Sequence, residues 1–242
     1  MAQMWRAGGR VAEQLFEPLL CQTAMYNPIH FQLHDQKEIW HLIAESPLAT
    51  LIGADDQGQA FVTHVPLTVQ VIEQSACGVE PGTCTWSLEG HMARANPHWG
   101  WLDDQAARGV DVLAVFNGPS AYVSPKHYEH ERNVPTWNYL AVHVYGRMEW
   151  VTGQDDKDAL LKRLIAENEP AYADQWHELP ADFKAKMLGA IVGFRLQVTR
   201  CEAKAKLSQN RSAVERARIR EAFRSGSPSE QGLANWMDRL LP

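Results

Sequence analysis

The stretch YLAVHVYGRMEWV, Tyr139 to Val151, decides the fold class. Leu140, Val142, Val144, Met148 and Trp150 alternate with Tyr139, Ala141, His143, Tyr145, Arg147 and Glu149. A period of two sends the first set to a core and the second to the opposite face, the mark of a half-buried β-strand. Gly146 breaks the run where a bulge or tight bend is expected.

The pattern continues on both sides. Downstream, helices are expected near 155–168, with Leu160, Leu161, Leu164 and Ile165 on one stripe, and near 181–190. A last strand, Val192–Thr199, precedes two helices near 212–223 and 229–241, read as five to eight residues apart around Ser225-Gly226-Ser227-Pro228. Upstream, Glu38–Ser46 reads as a helix capped by Asp35 and stopped by Pro47. Strands follow at Leu48–Ala54 and Gln59–Gln70 around the turn Asp55–Gly58, then at Thr85–His91 and Val110–Phe116, with Asn117-Gly118-Pro119 as a turn and a brief extension at 121–124. Residues 74–83 read as a loop. Consecutive strands without β-α-β alternation predict a mainly β, antiparallel fold with flanking helices.

Composition narrows the class. Apolar residues make up 45% and charged residues 21% of 242, ordinary for a folded chain. No apolar run approaches the roughly 20 residues of a membrane helix. The apolar stretch Leu15–Cys21 is interrupted by Glu17 and Pro18, unlike a secretory signal, so a cytoplasmic protein with an N-terminal extension over 1–24 is expected. Cys77 and Cys84 flank a Gly/Pro turn, but free thiols are the expectation for a cytoplasmic chain. Net charge is −6, yet residues 194–224 hold nine Lys/Arg against three Asp/Glu. Such a segment favours an anionic partner, a phosphate group or DNA through the basic 195–224 region, unless it is simply a solvated helix face.

Catalytic signatures such as GxSxG, the P-loop and HExxH are missing. His30/His34 and His127/His130 lack the helical context of a metal pair, and Cys201 has no evident base. What stands out is a set of polar-aromatic strings at strand ends: Thr63-His64-Val65-Pro66-Leu67, Gly90-His91-Met92-Ala93-Arg94-Ala95-Asn96-Pro97, Phe116-Asn117-Gly118-Pro119, Val134-Pro135-Thr136-Trp137-Asn138-Tyr139 and Lys206-Leu207-Ser208-Gln209-Asn210-Arg211. Each joins hydrogen-bonding side chains to small residues that let a ligand reach the backbone.

Together with Met25-Tyr26-Asn27-Pro28, Pro47-Leu48-Ala49-Thr50 and Gly118–Pro125, these strings resemble the PaiB family over about residues 25–235. The 24-residue extension, the longer 74–83 loop and Lys126-His127-Tyr128 depart from the family pattern, and insertions are expected near 100–109. The resemblance implies an FMN-binding split β-barrel of Greek-key antiparallel type, related to pyridoxamine-phosphate-oxidase-like proteins, over 25–210, with a helical segment at 211–242. It implies a homodimer with FMN at the subunit interface and a role in negative regulation of transcription. A flavin-dependent oxidoreductase is the alternative, and a barrel holding another phosphate-bearing ligand is the third reading.

FMN brings a dianionic phosphate, a polar ribityl chain and a flat ring. Arg94, with Ala95 and Asn96, suits the phosphate, since charge-assisted hydrogen bonds contribute about 1.5–3 kcal/mol each. Thr63 and His64 suit the phosphate or ribityl hydroxyls, and Trp137, Asn138 and Tyr139 the ring. Lys206, Gln209 and Arg211 would complete the site from a neighbouring subunit.

Overall fold

The computed structural model describes residues 25–72 and 85–241. Seven strands form one sheet: β1 (Leu48–Ala54), β2 (Ala60–Pro66), β3 (Thr68–Ile72), β4 (Thr85–Ala93), β5 (Val112–Val123), β6 (Thr136–Val151) and β7 (Ile191–Lys206). Their order is β2-β1-β5-β6-β7-β4-β3, and every pairing is antiparallel. The helices are α1 (Gln36–Glu45), α2 (His98–Ala107), α3 (Gln154–Asn168), α4 (Ala173–Glu178), α5 (Ala181–Gly189), α6 (Ala213–Arg224) and α7 (Pro228–Leu240).

The sheet curls into a split barrel because of a corner. β2 and β3 lie at opposite ends of the strand order, yet Leu67 alone separates them in sequence. The chain therefore leaves one edge and joins the other at Pro66-Leu67. Leu67 is buried there and its N–H donates to the Pro47 carbonyl at 2.9 Å. Gly90 of β4 passes beneath this corner; a Cβ on it would lie 2.5 Å from Leu67 Cδ2 and 3.0 Å from the Pro66 oxygen.

The alternation of β6 is recognisable, although Ala141 and Tyr145 of the outer set are buried too and Trp150 of the inner set is half-buried. Leu140, Val142, Val144 and Met148 are buried, and the register with β7 shifts between Tyr145 and Gly146, so the glycine does mark a bulge. A Cβ on Gly146 would run into the Gln197 carbonyl and come within 2.9 Å of Leu196 Cγ. The core continues through Leu51, Leu88, Phe116, Phe194 and Leu196. Helix α1 adds Ile39, Leu42 and Ile43, with Asp35 accepting from Lys37 N and Glu38 N as expected of its cap. Ile219 and Phe223 of α6 and Leu233, Trp236 and Met237 of α7 belong to the same cluster. Ser229 fastens α7 to β5, accepting from Ser120 N and donating to Ser120 O, both at 2.8 Å.

Several elements differ from the sequence reading. Residues 98–107 form α2. β5 runs through Asn117-Gly118-Pro119, where its pairing with β6 slips but continues. β7 extends to Lys206. The gap between α6 and α7 is three residues, Ser225 to Ser227, because Ser227 forms a capping box with Glu230 and Pro228 starts the helix. The N-terminal extension, the 74–83 loop and the Cys77/Cys84 pair lie outside the described residues. No helix among the described residues is long and apolar enough to cross a membrane.

Candidate functional site

Residues directly opposite on neighbouring strands share a face, so the register draws the outer surface of the sheet in rows. One row is His64, Thr50, Val115, His143 and Glu202, across five strands. Further along come Asn117, Ala141 and Lys204, then Ser120, Tyr139 and Lys206, then Tyr122 and Trp137. Tyr122 and Trp137 are 49% and 54% exposed, with ring centroids 6.3 Å apart and edge to face. Leu48 and Val62 are exposed as well.

At the aromatic end the β5 irregularity opens a cleft of about 310 Å³, lined by Asn117, Gly118, Ser120, Trp137, Tyr139 and Leu140. Two lysines flank Tyr139. Lys204 is buried; its ammonium donates to Tyr26 O at 2.8 Å and lies 5.2 Å from the Tyr139 ring centroid. Lys206 donates to Thr136 Oγ1. Burial first, and then the Lys204 charge, hold the Lys206 ammonium below its ordinary pKa, against an opposing pull from Tyr139.

The neighbouring candidates look elsewhere. Asn138 alternates inward and is fully buried, its Oδ1 accepting from Ser208 Oγ at 3.0 Å. Gln209 closes the turn after β7 by accepting from Leu207 N and donating to Ala205 O. Arg211 donates to Asn133 Oδ1 at 2.7 Å and stacks 3.8 Å over the Tyr128 ring.

A second group gathers where β2 meets the start of α2. Thr63 Oγ1 accepts from Asn96 Nδ2 at 3.0 Å and contacts His98 Nδ1 at 2.8 Å, while Asn96 Oδ1 accepts from His98 N. His98 is fully buried, which lowers its pKa to about 4. His64 stands exposed on the outer face, with Nδ1 3.3 Å from Thr50 Oγ1. Arg94 and Ala95 are exposed. Arg94 donates through Nε to Gly189 O at 3.0 Å and through Nη2 to Ile191 O. Glu89, the carboxylate nearest in sequence, is taken by Arg163 at 2.8 Å and Arg195 at 2.6 Å. Among the described residues Arg94 is thus held by carbonyls and not by a carboxylate.

Thr63 and Asn96 therefore meet at the start of α2, with Arg94 and Ala95 just before them in the chain, whereas His64 points to the opposite face of β2; Trp137, Tyr139 and Lys206 form a separate group on that outer face. β2 and β6 are three strand spacings apart, about 14 Å across the sheet. Lys204, two residues before the Lys206–Arg211 string, is not singled out by the sequence, because nothing in a run of charges says which lysine is buried. Burial, and then the Glu202 charge, pushes the Cys201 thiol up to about 12, which disfavours the thiolate a nucleophile needs. The basic segment is largely engaged within the fold, with Arg195 on Glu89, Arg200 on Glu202, Arg216 on Arg211 O, and Arg220 and Arg224 on Asp238; Arg218 stands exposed.

A family model described as "Putative FMN-binding domain" matches residues 25–200. The protein PAI 2 of Bacillus subtilis, named for protease synthase and sporulation, is 32% identical over 223 residues, covering 90% of this chain and 98% of its own. The chain belongs to the PaiB family. A Saccharomyces cerevisiae relative, uncharacterised by name, is 29% identical over 58% of this chain and 86% of its own. An FAD- and heme-binding protein from Mycobacterium smegmatis shares the fold with a TM-score of 0.53 at 16% identity, covering 77% of this chain and 78% of its own. The flavocytochrome Anf3 of Azotobacter vinelandii does so at 0.52 and 17%, over 72% and 69%. This PaiB-family chain is a flavin-binding split-barrel protein, and FMN is compatible with its residues: an aromatic cleft beside two ammoniums fits a flat ring that gains negative charge.

Proposed function

We propose that this chain is a homodimeric FMN protein in which each flavin lies on the open sheet face and is completed by both protomers. The ring sits in the cleft of Trp137 and Tyr139 with Lys206 beside it. The phosphate and ribityl chain meet Arg94, Ala95, Asn96, Thr63 and His64 of the other protomer. The observation that carries this reading is the separation, on one protomer, of the aromatic cleft from the exposed Arg94–Ala95 turn, each incomplete alone. Flavin supplies redox chemistry when bound; the protein's part is to hold and orient it. With most cations of 194–224 engaged internally, a flavin-dependent oxidoreductase is the reading favoured.

Mixing tests the shared site. Arg94→Ala and Trp137→Ala homodimers would each bind FMN weakly, while a refolded mixture would regain tight sites in its heterodimers, one per heterodimer. No recovery would mean that one protomer supplies both groups.

A second reading has its own support. The three-residue turn between α6 and α7 has the length of a helix-turn-helix connection, and Arg218 is exposed on α6. Regulation through DNA would show as a salt-sensitive mobility shift lost in Arg218→Ala, and bleaching of bound flavin by NAD(P)H would instead support the enzyme.

A further inference from the structure

Lys204 and Lys206 pose a problem that the fold does not solve by itself. They project from alternate positions on β7 to the same side of the sheet, and each faces β6. Lys204 is 5% exposed, and its ammonium has a carbonyl and the Tyr26 and Tyr139 rings as partners. Lys206 is half-buried, with a hydroxyl and, at 6.0 Å, the Phe31 ring. Among the described residues no salt bridge reaches either ammonium. A buried charge is normally paired, since removing it from water costs several kcal/mol. Here two like charges are neighbours in a chain whose net charge is −6, so acid is plentiful elsewhere. No described residue supplies that counter-charge, and an anionic ligand would. Tyr139, which both lysines flank, lines the aromatic cleft, so that charge lies in the cleft.

We propose that the Lys204–Lys206 pair makes this cleft bind the reduced flavin ring more tightly than the oxidised ring. The proposal rests on the flavin reading above and deepens it. Oxidised flavin is neutral in its ring. Taking up two electrons and one proton gives a ring with one negative charge, and this charge is the counter-ion the lysines lack. The electrons come from a chemical reductant in the experiment and from a hydride or electron donor in a cell. Burial of Lys204 and half-burial of Lys206 keep their attraction from being screened as fully as in bulk water.

The test is a reductive titration with dithionite against a reference dye, on the full-length dimer loaded with FMN and, separately, with riboflavin. Lys206→Met is expected to lower the preference for reduced over oxidised flavin about tenfold, a fall of about 30 mV for a two-electron couple. Lys204→Met is expected to move it the same way, and Lys206→Arg to retain most of the parent potential. Lys162→Met removes an exposed charge on α3, paired with Asp158 and outside the cleft lining, and leaves the potential in place. Circular dichroism and oxidised-flavin affinity show which variants are folded, and Lys206→Arg keeps the test open if a methionine variant is not. Unchanged potentials in folded Lys206→Met and Lys204→Met would overturn the proposal while leaving the flavin reading intact. Loss of affinity for FMN but not riboflavin, with no change in potential, would mean that the lysines hold the phosphate and would also overturn it. A parent protein that binds neither flavin would overturn the flavin reading and this proposal with it.

Discussion

Thr63 Oγ1 lies 2.8 Å from the Nδ1 of a fully buried His98, joining β2 to the first turn of α2. The pKa of His98 falls to about 4 because burial disfavours the imidazolium. The unfolded chain takes up that proton near 6.5, the folded chain only near 4, so between these values the unfolded state binds more protons. Stability contributed by His98 is complete above 6.5 and is lost as pH falls toward 4, by about 3 kcal/mol at the limit. Urea unfolding of the parent from pH 7 to 4.5 should show this loss. His98→Asn should be less stable at pH 7 and show a smaller slope; an equal slope would place the pH dependence elsewhere.

Gly146 tests the barrel geometry. Its missing Cβ makes room for the Gln197 carbonyl at the bulge between β6 and β7. Gly146→Ala forces backbone apart, and overpacking of this kind costs about 1–3 kcal/mol. Denaturant midpoints should fall accordingly, and an unchanged midpoint would show that the bulge has slack.

Trp137 separates binding from folding. More than half exposed and touching Tyr122 edge to face, it contributes little to the core. Trp137→Ala should leave thermal stability within about 0.5 kcal/mol, as surface substitutions do. Flavin affinity should fall by about 2 kcal/mol or more, since truncated aromatic anchors dominate binding. Fluorescence titration alongside thermal melts reads both effects.

How far the sequence carried depends on the element. β6 was legible because Leu140, Val142, Val144 and Met148 alternate with residues that are mostly polar or aromatic. Helix α2 was not: it buries His98, Leu102 and Gln105, two of them polar, so no apolar stripe marks it. The end of β7 read as a charge run because the core-facing residues Ala203 and Ala205 are small and alternate with Glu202, Lys204 and Lys206. The site divides in the same way. Trp137 and Tyr139 occupy strand positions that period two sends outward, whereas Asn138 between them is sent inward. Gln209 and Arg211 carried the right chemistry, yet their partners, Ala205, Leu207 and Asn133, are set by loop geometry that no spacing rule reveals.

Arg94 separates phosphate from ring. Its guanidinium is steadied by the Gly189 and Ile191 carbonyls, and the carboxylate that would otherwise claim it is taken by two other arginines. Arg94→Ala should weaken FMN by about 2–4 kcal/mol, the loss typical of a buried charged partner. Riboflavin, without the phosphate, should bind parent and variant alike. Equal losses for both ligands, with a fall in melting temperature, would reduce Arg94 to a brace for the end of α5.

Equilibrium dialysis of the purified protein against FMN tests the central claim most directly. The account predicts saturable binding at about one FMN per chain, with quenched flavin fluorescence and a shifted absorption band in the bound fraction. FMN that distributes equally across the membrane at every concentration, with a folded protein on one side, would contradict it.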